Sequence, residues 1–122
     1  MREILFRGKR KSDGKWWEGY LTVVFQHTYI EKANENEAFR FVVDPETVGQ
    51  FTGLTDKNGK RIFEGDIVEV NYDAYPSERG EVFFRNGSFR LKKVSEVLSL
   101  YGFLWWCEVI GNIHDNPELL EG

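Results

Sequence analysis

Short stretches in which apolar and polar residues alternate recur along this chain, and they predict a protein built of strands. The clearest stretch begins at Asp66, where Val68 and Val70 fall on one face and Glu69 and Asn71 on the other. A period of two residues is typical of a strand with one buried face. The same pattern predicts further strands at residues 3–10, 16–25, 39–43, 47–52, 81–85, 88–94 and 103–113.

Turn-forming residues separate these predicted strands. Residues 12–14 (Ser-Asp-Gly) predict an N-terminal hairpin, and residues 86–87 (Asn-Gly) predict a two-residue hairpin loop. Residues 56–59 (Asp-Lys-Asn-Gly) predict a tight turn, because Asp and Asn side chains bond nearby backbone and Gly accepts a positive φ. An Asp-Pro pair at residues 44–45 is expected to end the strand before it.

Three segments depart from the strand pattern. Residues 31–38 are almost wholly polar and are predicted to form a loop. Residues 94–100 place apolar side chains at helical spacing, which predicts one short helix. Near the C-terminus, Asn116 is expected to cap a short helical turn that begins at Pro117.

Composition supports a single β-rich domain. The chain has 122 residues, the size of one ordinary domain, and its 16% aromatic content favours strands over helices. We therefore predict one domain over residues 1–122 with a mainly β fold. The expected form is a small curved β-barrel, SH3-like at its centre around residues 60–94, with at most one or two short helices. An N-terminal hairpin and a closing C-terminal strand are added to it.

The densest turn chemistry lies in residues 47–70, directly before and within the strand at Asp66. This stretch resembles the signature of the YopX-like family, small proteins encoded in bacteriophages and prophages. The family-motif residues are Gln50, Thr52, Gly53, Asp56, Gly59, Glu64, Gly65 and Asp66. Residues 4–8 and 109–119 are similar to the family as well, so the resemblance spans nearly the whole chain. It implies a phage or prophage protein in the bacterial cytoplasm, with no established biochemical role to carry over.

Cysteine usage and hydropathy bear on the compartment. The single cysteine, Cys107, excludes an internal disulfide, and its apolar surroundings favour a buried structural thiol. No apolar run approaches the ~20 residues that a bilayer crossing requires, and no secretory signal precedes the first strand. We expect a soluble cytoplasmic protein without a membrane partner.

The net charge of −4 argues against non-specific binding of nucleic acid, which requires a basic surface. The charge is unevenly distributed, however. Residues 1–15 carry six basic and two acidic side chains, a net of +4, so the remainder carries −8. Two interpretations stay open: a solvated hairpin whose cations discourage strand-to-strand aggregation, or a hairpin that contacts phosphate.

No residue pattern points to catalysis, and we assign no catalytic residue and no cofactor. Asp56, Glu64 and Asp66 have two interpretations. They form an acidic pocket for a divalent cation, or they are turn residues whose carboxylates bond the backbone; the turn interpretation is favoured. The two histidines and the cysteine lack the short spacing of zinc sites, so no metal site is predicted.

Two adjacent pairs of tryptophans stand out in the predicted strands. Neighbouring residues of a strand point to opposite faces, so one ring of each pair can fill a core and the other is a candidate contact surface. With the basic hairpin, the candidate contact residues are Arg7, Lys9, Arg10, Lys11, Trp16, Trp17, Trp105 and Trp106.

These features support three hypotheses. The first is a non-enzymatic protein-interaction module that self-associates and contacts host or phage proteins through a Trp-rich face. The second is a small nucleic-acid-binding barrel that uses the basic N-terminal hairpin. The third, less favoured, is a divalent-cation-dependent hydrolase.

Overall fold

A computed structural model describes residues 4–33, 38–71, 77–85, 87–93, 97–99 and 106–121. The strands are β1 (Phe6–Arg10), β2 (Trp16–Val24), β3 (His27–Ala33), β4 (Ala38–Thr55), β5 (Arg61–Phe63), β6 (Asp66–Val70), β7 (Glu78–Arg85), β8 (Ser88–Lys93), β9 (Val97–Ser99) and β10 (Cys107–Asn112). One single-turn 3-10 helix follows them at Pro117–Leu120. The prediction of a mainly β fold is confirmed. The chain forms two compact units, residues 1–51 and 52–122, and β4 runs from the first into the second.

In unit 1 the last strand pairs with the first, so the order of strand pairing is closed. β1 pairs with β2, β2 with β3, β3 with β4, and β4 pairs again with β1, all antiparallel. The predicted N-terminal hairpin is confirmed. In its turn the Gly14 N–H donates to the Arg10 carbonyl at 2.8 Å, and the Lys15 N–H donates to Oδ1 of Asp13 at 3.0 Å. The side chains of Ile30 and Val43 are fully buried and form the core of this unit.

Two predictions in unit 1, one of a loop and one of a strand end, are corrected by the structure. β3 extends to Ala33 and β4 begins at Ala38, so the loop predicted over 31–38 is wrong at residues 31–33 and 38; residues 34–37 lie outside the described residues. Nor does the Asp-Pro pair at 44–45 end a strand. β4 continues through a bulge, where its pairing with β1 jumps from Gly49 to Asp44. The Thr47 hydroxyl bridges this bulge, since it donates to the Asp44 carbonyl at 2.6 Å and accepts from the Lys9 N–H at 2.9 Å. A bulge tolerates proline because the ladder is interrupted there.

Unit 2 contains an antiparallel sheet of order β10-β6-β7-β8-β9. The predicted hairpin around residues 86–87 is confirmed: Val82 pairs with Leu91 and Phe84 with Phe89. The buried cluster of this unit comprises Ile62, Val68, Val70, Val82, Leu91 and Cys107. The SH3-like description of residues 60–94 stays a prediction.

Two predictions in unit 2 need correction. The helix predicted over 94–100 is wrong at residues 97–99, which form β9 and pair with β8 through Leu91 and Leu98; residues 94–96 and 100 lie outside the described residues. The C-terminal helical turn begins at Pro117 as predicted, but the Asn116 side chain does not cap it. Its Oδ1 instead accepts a hydrogen bond from the Asn112 N–H at 3.3 Å, which holds the end of β10. Within the described part of the chain, no helix has the length and apolar character that a bilayer crossing requires.

Candidate interaction surface

The structure brings part of the predicted contact surface together around Trp16. Lys9 of β1 pairs directly with Trp16 of β2, so their side chains share one face of the sheet. The Arg7 guanidinium lies over the Trp16 ring at 4.8 Å from its centroid, and the Lys9 ammonium lies at 5.9 Å. Cations at these distances are attracted by the electron-rich ring face. Arg7, Lys9 and Trp16 therefore form one cationic and aromatic patch.

Trp17 belongs to a different group of side chains, because it points to the opposite face of β2. Its ring stacks on Phe41 of β4 with centroids 4.4 Å apart and 25° between the planes. The Arg10 guanidinium lies over the Phe41 ring at 4.5 Å, and the Lys32 ammonium lies over the Trp17 ring at 5.4 Å. Both tryptophans are half-buried, so neither is a fully exposed contact residue.

The second tryptophan pair is only partly described. Trp105 lies outside the described residues, whereas the Trp106 side chain is 41% exposed. Trp16 and Trp17 begin β2, and Trp106 directly precedes β10. β2 is hydrogen-bonded to β1 and β3, whereas β10 is hydrogen-bonded to β6, so β2 and β10 are not neighbours in one sheet. The Trp-rich face expected from the sequence therefore stays a prediction.

Further exposed apolar side chains lie at the end of the β2–β3 hairpin. Trp17, Gly19, Leu21 and Val23 follow one another on the face of β2 that carries the unit's core, since Leu21 pairs with the fully buried Ile30. Exposure rises along this row towards the turn: Leu21 is 37%, Val23 63% and Phe25 92% exposed. We refer to Leu21, Val23 and Phe25 as the hairpin stripe. Leu21 and Val23 share the core-facing side of β2, and Phe25 follows them in the turn beyond the end of that strand.

The turn that joins β2 to β3 has an unusual backbone for its residue types. Phe25 has a φ of 47° and Gln26 a φ of 69°. Two successive positive φ angles are typical of the type I′ hairpin turn, which normally selects Asn-Gly. A bulky residue such as Phe is disfavoured there, at a cost of roughly 1 to 2 kcal/mol. This turn is not predictable from its sequence, because no Gly, Asn or Asp marks it.

The family-motif residues of unit 2 serve mainly in turns. Both carboxylate oxygens of Asp56 accept backbone hydrogen bonds: Oδ1 from Asn58 and Lys60, and Oδ2 from Val109, each at 2.9 Å. Oδ2 of Asp66 accepts from the Phe63 N–H at 2.7 Å. These bonds support the turn interpretation of the acidic residues.

The remaining family-motif residues have backbone roles of the same kind. The Thr52 hydroxyl donates to the Ile62 carbonyl at 2.7 Å and accepts from the Leu54 N–H at 3.1 Å. Gly53, Gly59 and Gly65 have φ angles of 84°, 82° and 91°, which side chains rarely tolerate. Gln50 pairs with Phe6 across β4 and β1, and Glu64 is half-buried.

The predicted burial of the Cys107 thiol is confirmed. Cys107 is fully buried, and burial, followed by the nearby charge of Asp56, raises the pKa of its thiol to about 11. A thiol with such a pKa is protonated and inert near neutral pH. Among the described residues, no three His, Cys, Asp or Glu side chains are grouped so that they could hold a metal ion.

Comparison with known proteins agrees with this architecture. The family model described as YopX protein matches residues 5–121, so the chain belongs to the YopX family. The structure is similar to the crystal structure of protein EF1440 from Enterococcus faecalis, with 27% sequence identity and a TM-score of 0.64. That similarity covers 99% of this chain and 100% of the other. No curated protein matches.

Proposed function

We propose that this YopX-family protein is a non-enzymatic protein-interaction module that self-associates through the hairpin stripe. We further propose that it is encoded by a phage or prophage and works in the bacterial cytoplasm, as the family resemblance implies. The observation that carries the proposal is the exposure of apolar side chains, which increases from Leu21 and Val23 of β2 to Phe25 in the turn that follows. We interpret exposed apolar side chains that continue the core-facing side of a strand as a contact surface for a partner.

The energetics favour a contact role for Phe25 in particular. Its side chain packs little within the protein, and its backbone conformation carries a cost that Asn or Gly would avoid. Strained backbone that local packing does not require is a reason to look for function. Full burial of one Val or Phe side chain is worth about 1.5 to 3 kcal/mol, so burial of Val23 and Phe25 in a partner would more than offset that cost.

A second copy of this chain is the partner that the hairpin stripe suits best. In a two-fold symmetric dimer both hairpins contribute the same residues. The apolar area buried is then twice that of one hairpin stripe, and no second type of surface is needed. The stripe itself, Leu21, Val23 and Phe25, carries no charged side chain. An uncharged apolar strip brings no like charges together where two copies meet across a two-fold axis.

Native mass spectrometry over a range of protein concentrations tests the proposal. We expect a concentration-dependent dimer for the unmodified chain and a monomer for Phe25→Asn. The matched control is Tyr20→Ser, because Tyr20 is 56% exposed on the opposite face of the same strand and should be dispensable for the dimer. A monomer at every concentration, or a dimer that survives Phe25→Asn, would contradict self-association through the hairpin stripe.

Nucleic-acid binding is a second candidate, supported by the patch of Arg7, Lys9 and Trp16. Basic side chains beside an aromatic ring are the elements from which single-strand-binding surfaces are built. If the patch has this role, binding to single-stranded DNA should weaken steeply as salt is raised. The Lys9→Gln variant should reduce both the affinity and the salt dependence. Binding that is absent at low ionic strength would remove this candidate.

A further inference from the structure

A second surface of unit 1 has the composition of an anion-binding site. An open cleft of about 450 Å³ lies where the β1–β2 turn meets the start of β4, and its described lining is Arg10, Lys11, Ser12, Arg40, Phe41 and Val42. Three of these six residues are cations and none is acidic. A volume of this size is within the range of ligand-binding clefts. We call it the cationic cleft.

Among the residues that the structure describes, acidic side chains near the cationic cleft neutralise it only in part. Arg10 is paired with Asp13 at 3.6 Å, and both side chains are about one-third exposed, so this ion pair is weak. Glu31 stands opposite Arg40 in the pairing of β3 with β4, yet the Arg40 guanidinium lies over the Tyr29 ring at 4.5 Å instead. Among the described residues, neither Lys11 nor Arg40 forms an ion pair. The cleft therefore has positive charge available for a ligand.

The other walls of the cleft indicate which anion it suits. The Arg10 guanidinium carbon lies 4.5 Å from the centroid of the Phe41 ring, and the centroid of the Trp17 ring lies 4.4 Å from it. Because both groups are so near to the ring, they must occupy its opposite faces. No face of that ring is left for a nucleobase, whereas single-strand recognition depends on base stacking. Val42 is 36% exposed and adds an apolar wall beside the cations. A carboxylate next to an aliphatic side chain matches these walls better than a nucleotide does.

We infer that the cationic cleft binds an acidic peptide segment of a partner protein, with carboxylates at Lys11 and Arg40 and an apolar side chain against Val42. The inference rests on the proposed function as a protein-interaction module and assigns a second contact to it. Arg40 suits this role because its guanidinium can bind a carboxylate through two parallel hydrogen bonds. Arg10 has a positioning role, since it packs on Phe41 and is paired with Asp13.

Fluorescence anisotropy with a labelled peptide tests this site. The probe is a hexapeptide of sequence Glu-Leu-Glu-Glu-Leu-Glu, compared with the same peptide carrying Gln at every Glu position and with a labelled oligo(dT). We expect binding of the acidic peptide that weakens as salt is raised. The double variant Lys11→Gln/Arg40→Gln should weaken it about tenfold or more, which corresponds to loss of a single charge-assisted contact or more. Lys92→Gln, an exposed lysine of β8, is the matched control and should leave binding unchanged.

Three outcomes would overturn the inference: no binding of the acidic peptide, equal binding of the Gln peptide, or an affinity that the double variant leaves unchanged. Preferential binding of oligo(dT) that the double variant abolishes would instead assign the cleft to nucleic acid. Measurement of the Phe25→Asn variant separates the two proposals, because it should lose the dimer and retain the peptide. Loss of peptide binding in that variant would show that the two surfaces are not independent.

Discussion

The Oδ2 atom of Asp56 accepts a hydrogen bond from the backbone N–H of Val109 at 2.9 Å, across 53 residues of sequence. The same carboxylate closes its own turn through Asn58 and Lys60, and the Lys57 N–H donates to the Cys107 carbonyl at 3.1 Å. The turn thus satisfies backbone groups of β10 that its pairing with β6 does not use. A protected edge of this kind also prevents unwanted pairing with other chains.

Substitution of Asp56 should therefore destabilise unit 2 more than an ordinary turn residue would. Asp56→Ala leaves three backbone N–H groups without their acceptor, and we expect a loss of about 2 to 4 kcal/mol in the free energy of unfolding. Asp56→Asn should cost less, because its carbonyl oxygen can still serve Asn58 and Lys60. Urea unfolding followed by circular dichroism measures both.

The control for Asp56 is its neighbour Lys57, whose ammonium forms an exposed ion pair with Glu108 at 3.9 Å. Lys57→Ala keeps every backbone bond of the turn and should cost less than about 1 kcal/mol. Equal losses for Asp56→Ala and Lys57→Ala would contradict the role of the carboxylate.

Substitutions in the type I′ turn at Phe25 and Gln26 are predicted to stabilise the protein. Asn and Gly adopt positive φ angles at a lower energetic cost than Phe and Gln do. Phe25→Asn/Gln26→Gly should therefore raise the free energy of unfolding of the monomer by about 1 kcal/mol. Thermal unfolding at a concentration where the protein is monomeric measures this. Destabilisation by these substitutions would show that Phe25 contributes packing to its own chain.

Gly19 is predicted to tolerate no side chain. A Cβ atom at this position would collide with the backbone carbonyl oxygen of Glu31 and lie 3.1 Å from Cγ2 of Ile30. Backbone cannot yield as a side chain can, so we expect Gly19→Ala to cost about 1 to 3 kcal/mol. Tyr20→Ala, one residue further on an exposed face, serves as the control in the same unfolding assay. A neutral Gly19→Ala variant would require β2 and β3 to separate locally.

The buried thiol of Cys107 gives a prediction that depends on pH. Its pKa is raised from 9.0 to about 11 in the folded protein, so the unfolded chain releases this proton first as the pH rises. Stability contributed by the neutral thiol is complete below pH 9 and declines between pH 9 and 11, by at most about 1.4 kcal/mol per pH unit.

Urea unfolding of the unmodified chain and of Cys107→Ala across this pH range isolates the contribution of the thiol, because all other groups are shared. The thiol should also resist a disulfide reagent such as DTNB at pH 8 until the protein unfolds. Rapid modification of the folded protein, or identical pH dependence of the two variants, would contradict the burial of Cys107.

Local interactions were predictable from the sequence because the residues that make them are close together. The turn at residues 56–59 and the hairpins around residues 12–14 and 86–87 follow from Asp, Asn and Gly at fixed offsets. The helix expected over 94–100 is wrong at the described residues 97–99 for the opposite reason. A short run of apolar residues fits helical and extended spacing alike, and pairing of residues 97–99 with β8 selects the strand.

The candidate surfaces were only partly predictable from the sequence. Arg7, Lys9 and Trp16 lie close together because β1 and β2 form one hairpin, whose register follows from its turn. The hairpin stripe was missed, since Leu21 and Val23 read like any core-facing row. Arg40 was missed as well, because only the pairing of β4 with β1 brings it to the turn at Lys11.

The sequence by itself determined the mainly β class, the turn residues and membership of the YopX family, because alternation, turn chemistry and motif identity are local properties. Only the tertiary structure decided that Asp56 supports β10, that the core ends before Val23 and Phe25, and that three cations share one cleft. Burial and charge depend on which distant strands pack together, and pairing across tens of residues is not encoded in any single stretch of sequence.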